Sequence, residues 1–307
     1  STLIVRSHLS HLIQRGAPEN LDYVSLTIEF DRQQTLFRSL HEIAHWVVTV
    51  DRFIGREQVD AMHAGPDVIV IRPQIGINEA FTLMVSSTSG RDFVVRRLAR
   101  RLVSVLPDKD LDSLHRIALS VYTAATNVAP GSLLRALGLG NTANELVGLV
   151  VSRYLVESMI PISNELRSFS VWLSLDDLQD WFGGASSSRA DLARFTFFIE
   201  PTSGLVRLQV LVLESKFRKS YDGEDEARRQ LDNSVKLLHE ALDPDMPYAD
   251  GFFWRRELAN AIEKTPAPTN SDEVLPTAQL IGGADQNDRL TILACLKTDN
   301  YRLEGIS

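Results

Sequence analysis

The stretch Ser188–Arg218, reading SRADLARFTFFIEPTSGLVRLQVLVLESKFR, constrains this chain more than any other. Two runs of β-type residues flank a Pro-Thr-Ser-Gly turn, which is a hairpin signal. A turn centred on Thr202 and Ser203 fixes the partners by counting outward. Ile199 faces Val206, Phe197 faces Leu208, Phe195 faces Val210 and Ala193 faces Val212. All four pairs are apolar and share one face. The next pair on that face is Asp191 with Glu214, followed along the second strand by Lys216. Residues directly opposite in such a ladder stand about 4.5–5.5 Å apart at Cβ. A buried face therefore ends in adjacent carboxylates and a lysine, and like charges opposite one another need compensation. A divalent cation would supply it. A slip of one residue would put Asp191 and Glu214 on opposite faces, so the pairing of the two acids depends on register.

The rest of the chain supplies a setting for this hairpin. Its 307 residues leave room for two domains and a sizeable core. Trp46–Val50, Asp67–Arg72 and Phe81–Val85 read as strands, and Arg91–Leu106 and Leu111–Ala125 as helices. Tyr23–Phe30 reads as a further strand and Gln33–Ala44 as a helix. Strands alternating with helices predict an N-terminal α/β domain over residues 1–125. A Pro/Gly-rich junction follows. Asn141–Ser158 is apolar nearly all round and reads as a buried helix. A short strand at Ser170–Leu173, a short helix at Asp176–Phe182, the hairpin and an amphipathic helix at Glu224–Leu242 then make an α/β core with a mixed sheet over residues 126–243. Residues 244–307 read as a C-terminal extension or linker, with a helix at Phe252–Glu263 and a strand at Leu290–Cys295.

Composition excludes several function classes. No apolar run approaches the roughly 20 residues of a membrane helix. The single cysteine, Cys295, rules out an internal disulfide framework and a cysteine-based zinc site, which points to the cytoplasm. A net charge of −8 opposes non-specific nucleic-acid binding by the whole surface but leaves room for a local basic patch. Arg91, Arg96, Arg97, Arg100 and Arg101 fall on one helix; a solvated face is the ordinary reading of such a cluster, and a surface that tracks phosphates is the sharper one. No Walker-type phosphate loop occurs.

Asp191, Glu214 and Lys216 form the D…E-x-K arrangement of the PD-(D/E)xK nuclease superfamily. Hard oxygen ligands on adjacent strands suit Mg²⁺ or Mn²⁺. Such a metal activates water and stabilises charge on a scissile phosphate, and the lysine supports the developing anion. The plainer alternative is a strand-end ion pair. Glu145 is a candidate third metal-side acid on the helix ahead of the hairpin, although Thr142-Ala-Asn-Glu145 also reads as a capping box. Gln230, on the helix after the hairpin, stands where RecB-like nucleases often carry a glutamine; an ordinary polar helix face is its plainer reading.

A competing pattern is His41-Glu42-Ile43-Ala44-His45, which fits the H-E-x-x-H of zinc proteases, with Glu57, Asp60 or His63 as third ligand. That chemistry needs both histidines on one helix face. Strand-type residues begin at Trp46, directly after His45, and oppose it.

Four segments resemble a known family in order: Trp46–Gly55, Asn144–Leu155, Val171–Asp177, and Arg189-Ala-Asp-Leu with Leu213-Glu-Ser-Lys-Phe. Together they resemble the nuclease-like region ahead of the motor in FtsK/HerA-type ATPases of bacterial defence systems, which include the phosphorothioation-dependent restriction ATPases. The resemblance covers roughly residues 40–240. It implies a restriction-endonuclease-like core and a Mg²⁺-dependent DNA endonuclease of an anti-phage restriction system. Asp191, Glu214, Lys216 and Glu145 would be the catalytic set, with Asp191, Glu214 and Glu145 holding metal. Arg189, Arg218, Lys219 and Gln230 would face double-stranded DNA. The implied partners are DNA and an ATPase motor, and a homo-oligomer is a further expectation. No Walker-type loop falls within these 307 residues, so a motor is not expected inside them. The rival to catalysis is an inactive nuclease-like module that binds DNA or docks a motor.

Overall fold

The structure is a computed structural model describing residues 41–51, 67–74, 81–87, 89–104, 106–128, 142–175, 178, 189–216, 223–245, 251–265, 275 and 277–307. The expected strand at Tyr23–Phe30, all but the end of the helix at Gln33–Ala44, and most of the short helix at Asp176–Phe182 lie outside these residues.

A small antiparallel sheet comes first, built from β1 (Trp46–Asp51), β2 (Asp67–Gln74) and β3 (Phe81–Ser87) in the order β1-β3-β2. The run at β1 looks uniformly buried in sequence, yet it lies at the sheet edge, with Val47 buried and Val48 exposed. Two helices follow, α1 (Gly90–Leu102) and α2 (Leu111–Val128). Asp110 starts the second, its carboxylate accepting from the Ser113 amide at 2.8 Å. Then comes α3 (Thr142–Met159).

The main sheet has five strands in the order β7-β4-β5-β6-β8. Its centre is the meander β4 (Ser168–Ser174), β5 (Leu192–Ile199) and β6 (Val206–Leu213), with α4 (Glu224–Leu242) next in the chain. The edges come from β7 (Ala278–Ile281), antiparallel to β4, and β8 (Tyr301–Ile306), parallel to β6. The helices α5 (Gly251–Lys264) and α6 (Gln286–Lys297) complete the unit.

Both faces of this sheet are covered, which explains the long apolar runs in its strands. Ala193, Phe195, Phe197 and Ile199 point to one face. With Val206, Leu208, Val210 and Val212 they pack on α4, α5 and α6 through Leu238, Leu242, Leu258, Ile262, Ile292 and Leu296. On the other face Trp172, Leu192 and Leu213 pack with Leu146 and Val150 of α3, Val94 and Leu98 of α1, and Leu114 of α2. One apolar cluster thus runs from α1 and α2 into the main sheet, across the sequence boundary expected at residue 125. Arg194 also lies on this second face; its guanidinium sits over the Trp172 ring at 5.8 Å and donates to the Ile160 carbonyl at 3.0 Å, just beyond α3.

The structure departs from three expectations. Residues 244–307 are not an appended linker, because they contribute both edge strands and two packed helices of the main unit. Leu290–Cys295 is helical rather than a strand. Its apolar run has no decisive periodicity, and the start of the helix is set upstream. Asp285 accepts from the Asn287 and Asp288 amides at 2.8 and 3.0 Å, and the Asp288 carboxylate accepts from the Asp285 amide at 2.9 Å. This reciprocal box fixes the first turn. The helix α3, expected to be buried all round, leaves Tyr154, Leu155 and Met159 exposed. Among the described residues, no helix is long and apolar enough to cross a membrane.

Two glycines test the backbone of this unit. Gly204 closes the central hairpin at φ +69°, with open space where a Cβ would stand. Gly282 follows β7 at φ +66°, where a Cβ would clash with the Leu166 carbonyl. Gly204→Ala is expected to cost about 1–2 kcal/mol, the left-handed penalty alone. Gly282→Ala must cost clearly more, since the same penalty is joined by a clash with backbone. Urea unfolding of the two variants reads the difference; equal losses would show that the Leu166 segment moves freely.

Candidate functional site

The hairpin forms in the register that counting assigns. Ile199 pairs with Val206, Phe197 with Leu208, Phe195 with Val210 and Ala193 with Val212. The ladder runs to Leu192 and Leu213; beyond it the Asp191 amide donates to the Leu213 carbonyl at 3.1 Å, one residue out of that register. Asp191 and Glu214–Lys216 lie just past the strand ends, and Lys216 reaches toward α4. The ion pairs agree: the Lys216 ammonium lies 2.6 Å from Glu214 Oε1 and 3.9 Å from Glu226 Oε2 in the first turn of α4.

Glu214 is the unusual group. Its side chain is only 2% exposed. One carboxylate oxygen pairs with Lys216, while the other, Oε2, is buried with no hydrogen-bond partner. Burial, with the neighbouring Asp191 charge adding to it, pushes the Glu214 carboxyl up to about 7, and Lys216 only partly offsets that. A carboxylate with one orphaned oxygen inside a protein is costly unless something else binds it.

The loop beside it is pinned from two sides. Asp191 Oδ2 accepts from the Ser215 amide at 2.9 Å. The Ser152 hydroxyl on α3 donates to the Ser215 hydroxyl at 3.0 Å. Asp191 is thus both a charge next to Glu214 and a clamp on the turn that presents it. The start of β5 is held by α4, where Ser234 Oγ accepts from the Ala190 amide at 2.8 Å and Gln230 Nε2 donates to the Arg189 carbonyl at 3.2 Å.

Comparison of the chain with protein-family models, with curated proteins and with solved structures returns no match. The site must therefore be judged by its own geometry.

That geometry brings together Asp191, Glu214 and Lys216. It treats the other expected residues differently. Glu145 is exposed in the first turn of α3, and no bond among the described residues ties it to the carboxylate pair. It shares a helix stripe with Gly148 and with Ser152, which lies two turns, about 10 Å, further along. Gln230 sits close to the site but uses its amide on backbone, leaving its buried Oε1 unpartnered. Arg189 flanks Asp191 at the start of the strand, half-buried. Arg218 and Lys219 lie outside the described residues. In the H-E-x-x-H stretch, His41–Ile43 end a helix and His45 sits in a bend before β1, so the histidines do not share a helix face. His41 Nε2 instead stands 3.0 Å from the Ser86 hydroxyl. The candidate third ligands Glu57, Asp60 and His63 lie outside the described residues.

Sequence reasoning passed over Ser152, Ser215 and Glu226. Ser152 shares a helix stripe with Glu145, seven residues earlier, but that position does not reveal its partner Ser215. Glu226 carried no signal beyond its place in an acidic first turn, which helix-dipole arguments already explain.

The donor set can be tested against a divalent cation. Among the described residues, no three histidine, cysteine or carboxylate groups cluster. Mg²⁺ needs no such cage: it keeps several waters and binds through one or two carboxylates plus substrate phosphate oxygens. The pair Asp191 and Glu214, with an orphaned Glu214 oxygen, fits that pattern.

Proposed function

We propose that this chain is a divalent-cation-dependent nuclease that hydrolyses DNA phosphodiesters. The buried, unpartnered Glu214 oxygen beside Asp191 and Lys216 carries the reading. An ion pair kept only for stability would satisfy both oxygens or leave them in water. The architecture agrees with it: a mixed sheet with helices on both faces, whose central hairpin ends in the D…E-x-K set, is what a restriction-endonuclease-like core would present.

Asp191 and Glu214 would hold Mg²⁺ or Mn²⁺, which supplies a more acidic bound water and charge stabilisation at the phosphate. Lys216 contributes a fixed positive charge, aimed by Glu214 and Glu226, at the place where negative charge develops. Ser152 and Ser215 keep the Glu214–Lys216 turn in place, so that little reorganisation is needed when substrate arrives. Glu145, from the α3 side, is the remaining candidate acid. A motor partner of the FtsK/HerA type and a role in restriction rest on the sequence resemblance alone.

Plasmid or duplex DNA incubated with the full chain is expected to be cut with Mg²⁺ or Mn²⁺ and left intact with EDTA. Lys216→Ala should lower the rate at least ~100-fold, the usual scale for removing one preorganised stabilising group. Equal cutting by wild type and variant would overturn the assignment. Tight duplex binding without cutting under any divalent cation would make the chain a non-catalytic DNA-binding module.

A further inference from the structure

The Lys216 ammonium stands between two unlike carboxylates. Glu214 Oε1 is 2.6 Å away, on a side chain 2% exposed; Glu226 Oε2 is 3.9 Å away, on a side chain 50% exposed. Lys216 itself is 23% exposed, so exposure rises from the end of β6, through the lysine, to the first turn of α4. The longer distance exceeds a charge-assisted hydrogen bond by about 1 Å, so Glu226 attracts the ammonium without bonding it. The backbone has little freedom to close that gap, because the Ser215 amide is tied to Asp191 and the Ser215 hydroxyl to Ser152. The flexible four-carbon stem of the lysine has that freedom. The helix dipole gives any acid in this turn a local role. Glu224 serves it while pairing with Arg228 of its own helix at 3.5 Å. Glu226 differs in facing Lys216.

Glu214 Oε1 already carries the ammonium, and only Oε2 lacks a partner. With a cation bound, one negative charge would have to answer both the cation and the ammonium, and the two positive charges repel each other. We infer that Glu226 is the second counter-ion of Lys216: as Glu214 turns its charge to the cation, the ammonium shifts toward α4, pairs with Glu226 and is kept at the site. Glu226 is thus a positioning residue that acts through Lys216. The inference deepens the nuclease reading and rests on it.

The test compares Glu226→Gln, Glu226→Asp and Glu224→Gln in the full chain, with Glu226→Gln made also in Lys216→Ala. Two measurements are taken: calorimetric titration with Mg²⁺ and no DNA, and single-turnover and steady-state cutting of a duplex. Glu226→Gln should bind Mg²⁺ at least about threefold more weakly at physiological salt. It should lower kcat by about tenfold, the scale of a small misplacement, with KM for the duplex no higher than in wild type. Removing a negative charge does not hinder the approach of a phosphate, so a raised KM is not expected. Glu224→Gln should match wild type, and Glu226→Asp should recover most of the loss. In Lys216→Ala, Glu226→Gln should change either measurement by less than about twofold, because the group it acts through is gone. A loss that persists in full there would overturn the inference, since Glu226 would then act on the cation directly. Wild-type behaviour of Glu226→Gln, or an equal loss in Glu224→Gln, would also overturn it. Any of these leaves the nuclease reading standing where wild type cuts and Lys216→Ala does not. The loss of Mg²⁺ affinity, coupled through Lys216, would support the inference even if wild type cuts no DNA. A wild type that takes up no Mg²⁺ overturns both.

Discussion

Glu214→Gln is expected to abolish metal-dependent cutting, by about 10³-fold or more, and to make the metal-free protein more stable at pH 8. Both effects follow from one carboxyl. An unfolded glutamate titrates near 4.3, while in the folded chain burial and the Asp191 charge hold Glu214 near 7. Below pH 4 the group is protonated in both states and its burial carries no charge penalty. Between these limits the unfolded chain sheds its proton first, so stability falls as pH rises. Well above pH 7 the loss is complete, and at 1.36 kcal/mol per unit it amounts to about 4 kcal/mol. Glutamine copies the protonated form without titrating. It should therefore leave the melting temperature nearly unchanged at pH 4.5 and raise it by roughly 5 °C at pH 8. Lys216 is 23% exposed and keeps Glu226 nearby, so losing its partner costs little by comparison. Calorimetry in EDTA at the two pH values decides the point. A variant that melts lower at pH 8 would mean that the Lys216 pair outweighs the burial, and that Glu214 is structural. A group that weakens the fold and is kept for chemistry is the opposite of a strand-end ion pair.

Where the sequence was informative, it was informative for a physical reason. The hairpin could be read to the residue because alternation and a short turn leave one register that buries every large apolar side chain. From that register, Asp191, Glu214 and Lys216 followed by counting. The helices α2 and α4 were legible from an apolar stripe, and α4 from its acidic start as well. The far edge strands were not. β7 is four residues long, and β8 alternates only over Tyr301–Glu304 before Gly305 interrupts it, so both are too short to stand out as strands. What places them is tertiary: β8 pairs with β6 across nearly a hundred residues of chain, and no local pattern encodes that. The polar bonds around the site are similarly non-local. Ser152 finds Ser215 across 63 positions. A serine in a helix and a serine in a turn carry no mark of belonging together until α3 is laid across the sheet.

Mg²⁺ should release about half a proton per ion bound at pH 7, and the release should vanish in Glu214→Gln. A carboxylate must lose its proton before it can hold a hard cation, so binding and titration are linked. With Glu214 near 7, about half of the molecules are protonated at pH 7. Release should approach one proton near pH 6, and there the affinity should fall toward tenfold per further pH unit. Near pH 8.5 both effects should disappear. Isothermal titration in buffers of different ionisation heat measures the proton count directly. Asp191→Asn adds an internal control. Removing that charge takes away the second contributor to the Glu214 shift, so the carboxyl should titrate lower and release fewer protons at pH 7, even as affinity drops with one ligand fewer. A proton count independent of pH, or one unchanged by both substitutions, would place the metal elsewhere. An ordinary surface carboxylate pair would be fully ionised at pH 7 and release nothing. The half-proton is therefore the signature of a site whose orphaned oxygen is held ready for a cation.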